Sequence, residues 1–187
     1  MPIRSTLSAA LAATALLGLT ACASPTASAP AMASAANMVP AAVQVPAGHK
    51  VAMETLGVGL ITYECKAKTD AAGQYAWTFV GPDAKLMDRS GRQVGKYFGP
   101  PATWEASDGS KITGQQLAVA PGGDGNIPLQ LVQANPAMGQ GAMAGVSHIQ
   151  RLKTQGGVAP MSACGAANAG AKVTVNYKAD YIFWKAA

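Results

Sequence analysis

The chain has 187 residues, of which 49% are apolar, 12% are charged and 6% are aromatic, and its formal net charge is +5. The length suits one domain better than two, and the apolar content is too high for a wholly disordered chain. The charged fraction is about half of the ~25% that is usual in soluble proteins, and glycine is abundant with 21 residues. This composition argues against a long-helix bundle or a coiled coil.

Residues 1–22 have the layout of a secretory signal peptide. Arg4 supplies one positive charge, an apolar run extends from Leu7 to Leu19, and small residues follow it. A helix over that run would span about 20 Å, which is short of the ~30 Å hydrocarbon core of a membrane. The segment therefore predicts an export signal rather than a transmembrane helix, and no later stretch is long enough to span a membrane.

The end of this segment, Leu19-Thr20-Ala21-Cys22, resembles the bacterial lipobox, in which the cysteine is lipidated and becomes the new N-terminus. We therefore expect Cys22 to carry a lipid anchor. Its several buried acyl chains would hold the protein firmly at a membrane. Ala23 after the cysteine favours the outer membrane, with the domain facing the periplasm. The alternative is ordinary cleavage after Ala23 at an A-x-A site, which would remove Cys22.

Residues 23–47 are rich in alanine, serine and proline, and no charged residue lies between Arg4 and Lys50. Such a composition buries too little side chain to offset the entropy of ordering. It predicts a flexible tether between the membrane and a single folded domain over residues 48–187.

The domain shows short alternating runs separated by turn residues, and no long helical periodicity. The clearest run extends from Val173 to Phe183, with apolar side chains at every second position. Asp108-Gly109 predicts a type I′ hairpin turn between strands at 103–106 and 111–113. About eight short strands in some 140 residues predict an all-β fold, an antiparallel sandwich or barrel.

The chain has three cysteines. If Cys22 takes lipid, Cys65 and Cys164 remain as an even pair in an oxidising compartment, which predicts a disulfide between them. The alternative is two free thiols. Because the sequence contains no C-x-x-C, neither a thioredoxin-like redox site nor c-type haem attachment is expected.

Candidate catalytic residues are few. Histidine occurs only twice. A hydrolase would use His148 as a general base with Glu105 or Asp180, and Arg151 on an anion. Ser147 is a poor nucleophile for His148, because adjacent residues of a strand point to opposite faces. A hydrogen-bonded structural role for His148 is the simpler interpretation.

Metal and charge patterns are equally sparse. Met138, Met143 and His148 are spaced by five residues, as in soft-ligand copper sites, although methionine as a core gap-filler is the ordinary explanation. No other cofactor or metal motif is present, and we expect no cofactor. The basic residues between 66 and 96 predict a solvated edge or a weak attraction to anionic lipid or wall polymer, and no nucleic-acid motif accompanies them.

Four groups of residues, spread over positions 45–187, resemble the domain of unknown function 3455 family. They are Tyr63-x-Cys65 with Tyr75-x-Trp77; Gly81-Pro82-x-Ala84-x-Leu86 with Gly91-x-x-Val94-Gly95-Lys96; Gly99-Pro100 with Thr103-Trp104-Glu105-x-x-Asp108-Gly109-Ser110; and Val146 to Pro160 with Cys164 and Tyr177-x-Ala179-Asp180-Tyr181-x-Phe183. The resemblance implies a compact exported domain with paired cysteines and no established activity. The chain departs from the family pattern at Tyr97, near an expected histidine, and by one residue inserted between Pro100 and Thr103.

These patterns favour an envelope lipoprotein domain that is not an enzyme and that binds a ligand or stabilises a surface. Its partners would be the membrane, through the anchor, and an envelope polymer or protein. Tyr97, Phe98, Trp104 and Trp184 are candidates to line a binding face. The alternatives are an envelope hydrolase that uses His148 and a copper-handling protein.

Overall fold

The computed structural model describes residues 39–187. Their eight strands form one closed antiparallel barrel, in which each strand pairs with the next along the chain and β8 closes on β1. The all-β, antiparallel prediction is confirmed, and of the two architectures the barrel is the one formed. The strands are β1 (His49–Ala67), β2 (Tyr75–Met87), β3 (Gln93–Phe98), β4 (Thr103–Ala106), β5 (Lys111–Ala120), β6 (Leu129–Ala134), β7 (Val146–Gly156) and β8 (Lys172–Ala186). There are also two short 3₁₀ helices: Ala41–Val43 precedes β1, and Ala166–Asn168 lies between β7 and β8.

Strand β1 is longer than the short strands that the sequence predicts, with 19 residues. Its first half contains Gly57 and Gly59, which break the pattern of alternating side chains. Both glycines lie where the barrel wall packs closely: a Cβ at Gly57 would come within 2.5 Å of the Tyr181 ring, and one at Gly59 would overlap the backbone of β2. These glycines therefore permit close packing within a strand rather than ending it.

The hairpin between β4 and β5 is where the sequence places it, but its turn differs from the type I′ prediction. A type I′ turn needs a positive φ at both central residues, whereas Gly109 has φ +87° and Asp108 does not have a positive φ. The Asp108 carboxylate instead accepts hydrogen bonds from the backbone N–H of Ser110 (2.9 Å) and of Ala142 (2.7 Å). The turn thus also holds the loop between β6 and β7.

The interior of the barrel is packed at one end, which we call the closed end. Leu86, Ile112, Ile149 and Phe183 project inward there, and Met143, from the loop between β6 and β7, is buried among them. The loops 88–92, 107–110 and 135–145 lie at this end. The loops 68–74, 99–102, 121–128 and 157–171 lie at the other, which we call the open end.

A second apolar cluster lies on the outer wall. Val43, from the segment before β1, is fully buried against Leu131 and Leu152, and its carbonyl oxygen accepts a 2.6 Å hydrogen bond from Gln150 Nε2. Residues 39–47 belong to the predicted tether, yet they pack on the barrel. The folded part of the chain therefore begins before residue 48.

The disulfide prediction is confirmed. Cys65 and Cys164 are bonded, with their Cα atoms 5.5 Å apart. Backbone hydrogen bonds from Gly170 to Cys65 (2.8 Å) and from Cys65 to Ala171 (2.9 Å) hold the same loop against β1. The disulfide thus fixes the long β7–β8 loop across part of the open end.

The predicted signal peptide, Cys22 and most of the predicted tether lie outside the described residues. Within residues 39–187, no helix has the length and apolar character that a membrane span requires.

Candidate ligand-binding cavity

The interior of the barrel is hollow at its open end. The cavity has a volume of about 370 Å³ and is lined by inward-facing residues of β1 to β7 and by the loops before β4 and β6. An eight-stranded barrel is just wide enough to be filled by side chains or to hold one small ligand. The lining residues that matter most below are Tyr63, Tyr97, Trp104, Gln116, Gln130 and Arg151.

Strand alternation decides which residues reach this cavity. In β4, Trp104 and Ala106 pack in the interior, so the intervening Glu105 lies on the outer face. In β5, Gly114 lines the cavity, and a Cβ there would come within 2.5 Å of the Val132 side chain. The sequence thus combines large aromatic side chains on one wall with a glycine on another.

The aromatic wall is built by Tyr97, Trp104 and Tyr181. The rings of Tyr97 and Trp104 stack with centroids 4.6 Å apart and planes 13° apart, and Tyr181 packs against Tyr97 at 5.1 Å. All three side chains are at most 5% exposed, so their positions are fixed by the core. Tyr97 is therefore part of the cavity wall.

Arg151 is the one charged residue among those that line the cavity. Its Nε and Nη2 atoms donate hydrogen bonds to the carbonyl oxygen of Pro128, at 3.1 and 2.9 Å. Within residues 39–187, no carboxylate lies within ion-pairing distance of its guanidinium. A half-buried guanidinium without a carboxylate partner is a site where an anion is stabilised.

Trp104 adds an unused hydrogen-bond donor. Its side chain is 1% exposed, and its Nε1 atom has no hydrogen-bond partner among the described residues. The other two tryptophans differ, because Trp77 donates to the carbonyl of Ser162 (2.8 Å) and Trp184 donates to Gln150 Oε1 (3.1 Å). A buried donor left unpaired costs about 1–3 kcal/mol. The Nε1 atom has almost no accessible surface, so it lies behind the cavity wall and not on it.

The interior tyrosines are neutral at physiological pH. Burial raises the pKa of the Tyr97, Tyr177 and Tyr181 phenols, and the positive charge of Arg151 offsets only part of that effect. The Tyr177 and Tyr181 hydroxyls lie 3.3 Å apart and hydrogen-bond to each other. These groups act as hydrogen-bonding partners and add no negative charge to neutralise Arg151.

The four candidate hydrolase residues do not share one cleft. Glu105 lies on the outer wall and pairs with Lys96 (3.3 Å) and Lys111 (3.8 Å). Asp180 also lies outside and pairs with Lys153 at 3.0 Å. Arg151 faces the interior, so neither predicted carboxylate orients it.

His148 lies away from the cavity. Its Nδ1 atom is 3.1 Å from Ser147 Oγ, and its ring meets the edge of His49 with centroids 4.7 Å apart. The prediction that strand geometry separates Ser147 from His148 is wrong, because a bulge between Val146 and His148 interrupts the alternation. The Ser147 hydroxyl also contacts the carbonyl of Trp184, and the contacts of both residues fit a structural role.

The environment of His148 predicts a measurable pH dependence of stability. Burial, and to a lesser extent the nearby His49, lower the pKa of His148 below its ordinary value. Just below the unfolded-state value of about 6.5, the unfolded chain therefore binds more protons than the folded one, and stability falls as the pH falls. We expect His148→Gln to reduce the difference in Tm between about pH 7.5 and about pH 5.5. A difference equal to that of the wild type would contradict this account.

The predicted copper ligands are also separated. Met143 is fully buried in the closed-end core, whereas Met138 is 47% exposed. Within residues 39–187, no three His, Cys, Asp or Glu side chains are grouped as metal ligands. Met143 acts in the structure as the core gap-filler that the simpler interpretation expects.

Of the predicted aromatic binding face, Tyr97 and Trp104 line the cavity. Phe98 lies near the Lys96 ammonium, 5.2 Å from its ring centroid, and Trp184 hydrogen-bonds Gln150 on the outer wall. Gln116 and Gln130 also line the cavity and were not predicted; their side chains hydrogen-bond each other at 2.7 Å. The alternation of Ile112, Gly114 and Gln116 in β5 is the signal that would have placed Gln116 on the cavity side of the strand.

A larger hollow, of about 510 Å³, lies on the outer wall beside β1 and β8. Its charged side chains are already paired: Arg89 with Glu54, Lys153 with Asp180, and Asp88 with Arg92. The interior cavity, whose Arg151 has no carboxylate partner among residues 39–187, is the better candidate site.

The fold and the cavity together define an eight-stranded up-and-down barrel that is packed at one end and hollow at the other, the architecture that can hold one small ligand. The chain belongs to the family described as protein of unknown function (DUF3455), whose model matches residues 46–185. Comparisons with curated proteins and with solved structures gave no match.

Proposed function

We propose that this protein binds a small molecule inside the open end of its barrel. The observation that carries the proposal is the interior cavity, which combines aromatic walls with an arginine with which no carboxylate of residues 39–187 pairs. Ligand pockets typically measure about 300–1,000 Å³ and pair apolar walls with a few placed polar groups. The volume of about 370 Å³ falls at the small end of that range.

We further propose that the barrel works in the cell envelope, held there by a lipid on Cys22. The signal layout of residues 1–22 and the Leu19-Thr20-Ala21-Cys22 motif support this location. The bond between Cys65 and Cys164 supports an oxidising compartment, since disulfides persist there. An exported barrel of this kind would capture its ligand outside the cytoplasm.

The hydrolase and copper hypotheses gain no support from the geometry. His148, Glu105 and Asp180 are each engaged by other partners on the outer wall, and Met143 is part of the core. Ligand binding is the function that the arrangement of side chains favours.

The proposal is tested by blocking the cavity. Gln115 and Gln116 are both exposed, but only Gln116 lines the cavity. With 2-naphthoate and its uncharged analogue 2-naphthamide as probes in calorimetry, we expect at least one to bind the wild type at one site per chain. Gln116→Trp should weaken that binding roughly tenfold or more, because the indole occupies the space of the probe.

Gln115→Trp is the matched control, since it places the same indole outside the barrel, and its affinity should equal that of the wild type. The proposal fails if neither probe binds the wild type, or if both tryptophan variants bind as the wild type does.

A further inference from the structure

We propose that the ligand of this cavity is a small planar aromatic carboxylate, whose carboxylate pairs with Arg151 and whose ring lies along the Tyr97–Trp104 wall. This inference rests on the proposed function and names the class of ligand for the same site.

The charge of the ligand follows from the surroundings of Arg151. Its neighbours across the sheet are Gln130 in β6 and Tyr181 in β8, and both are uncharged. The acidic residue next to Tyr181, Asp180, faces the outside and pairs with Lys153. A guanidinium in a partly dry cavity is costly without a counter-charge, and a bound anion would supply one.

The hydrogen bonds of Arg151 favour a carboxylate as that anion. The protein occupies the side of the guanidinium that carries Nε, because Nε and Nη2 both donate to Pro128. The other end of the guanidinium, formed by Nη1 and the second Nη2 proton, has no hydrogen-bond acceptor among the described residues. Its two parallel N–H donors match the two oxygens of a carboxylate.

The shape of the ligand follows from the aromatic wall. Tyr97 and Trp104 stack nearly parallel, 13° apart, and are held by Tyr181. Because these rings are at most 5% exposed and fixed by the core, they give the cavity a rigid apolar wall. A flat ligand packs beside such a wall with little loss of side-chain entropy. Phe79, at the mouth, is 54% exposed and packs edge-on against Tyr63, so apolar surface continues to the entrance.

Arg151 also separates a carboxylate from a hydrocarbon as the ligand of this cavity. A hydrocarbon would leave the guanidinium without a counter-charge, whereas a carboxylate supplies one. The unpaired Nε1–H of Trp104 lies behind the cavity wall with almost no accessible surface, so it is not a donor that the ligand reaches.

The experiment compares 2-naphthoate with 2-naphthamide, which share one ring system and differ in charge. We expect the wild type to bind the carboxylate about 10- to 100-fold more tightly, as charged hydrogen bonds imply. Arg151→Met should remove that preference while it keeps the affinity for 2-naphthamide. Arg151→Lys should keep a reduced preference, because it retains the charge and loses the paired donors.

Arg92→Met is the matched control, because it removes an exposed arginine that pairs with Asp88 on a surface loop, and its preference should equal that of the wild type. Equal binding of the two probes by the wild type would overturn this inference and leave the proposed function standing. Binding of neither probe would overturn the proposed function itself. The wild-type comparison does not depend on the folding of any variant. A preference for the carboxylate that survives in a folded Arg151→Met would also contradict the pairing of the ligand with Arg151.

Discussion

Removal of the bond between Cys65 and Cys164 is expected to lower the free energy of unfolding by about 2–5 kcal/mol. The two cysteines are 99 residues apart in sequence. In the chain-entropy model, a closed loop of about 100 residues restricts the unfolded chain by ~4.7 kcal/mol. The variant that tests this is the double replacement Cys65→Ala with Cys164→Ala, measured by chemical denaturation.

The expected loss extends down to the lower end of that range because the hydrogen bonds around the disulfide remain in the variant. Gly170 and Ala171 still pair with the backbone of Cys65 in the variant, and Asn168 still accepts a 2.7 Å hydrogen bond from Gly165. The loop therefore keeps part of its folded contacts. Ser162→Ala is the control, since it removes an exposed side chain of the same loop and leaves the bond intact. A loss below about 1 kcal/mol, well under the usual range, or free thiols at both positions in oxidised, denatured protein, would contradict the account.

Met143→Ala is the second substitution with a large expected effect, a loss of about 2–5 kcal/mol. Met143 is fully buried where the β6–β7 loop closes the barrel, and its backbone N–H donates to Ser110 Oγ at 3.1 Å. Truncation leaves a cavity among Leu86, Ile112 and Phe183, which are themselves fully buried and fixed in the wall. The lost contacts are therefore not recovered by collapse.

Met161→Ala is the matched control for this substitution. Met161 is fully exposed, at 101%, so its truncation should change stability by less than about 0.5 kcal/mol. Both variants are compared with the wild type by thermal and chemical denaturation. Equal stability of the Met143 and Met161 variants would show that Met143 does not close the barrel.

The sequence predicted the architecture because the strands of this barrel carry their own signals. In β8, alternate positions from Tyr177 to Phe183 are buried, as the sequence pattern indicates. The Asp108-Gly109 turn places β4 beside β5 in the register that pairs Glu105 with Lys111. A sandwich produces the same local patterns, and only the pairing of β1 with β8 distinguishes the two.

The first half of β1 and the segment before it were not predicted, for physical reasons that are visible only in three dimensions. Gly57 and Gly59 resemble strand breakers in sequence, but they are required by the close approach of Tyr181 and β2. Val43 lies in an alanine- and proline-rich stretch, and its burial depends on Leu131 and Leu152, which are distant in sequence.

The candidate site was predictable only in part. Arg151, Tyr97 and Trp104 stood out as single residues, yet their convergence depends on the closure of the barrel. Strand β7 has two bulges, between Val146 and His148 and between Leu152 and Gln155. They shift the alternation of inward and outward side chains on which a prediction from sequence depends. The hydrolase hypothesis failed to find geometric support because Glu105 and Asp180 alternate to the outer face, while Arg151 faces the interior.

The most direct test of the cavity as a binding site uses the indole N–H resonances of the three tryptophans. Trp104 lines the cavity with its Nε1–H unpaired, whereas Trp77 and Trp184 are hydrogen-bonded elsewhere. Titration of ¹⁵N-labelled protein with 2-naphthoate should shift the Trp104 resonance, assigned by Trp104→Phe, and leave that of Trp184 in place. A saturating shift confined to Trp104 is the predicted result. An unmoved Trp104 resonance, or a shift centred on Trp184, would contradict the account.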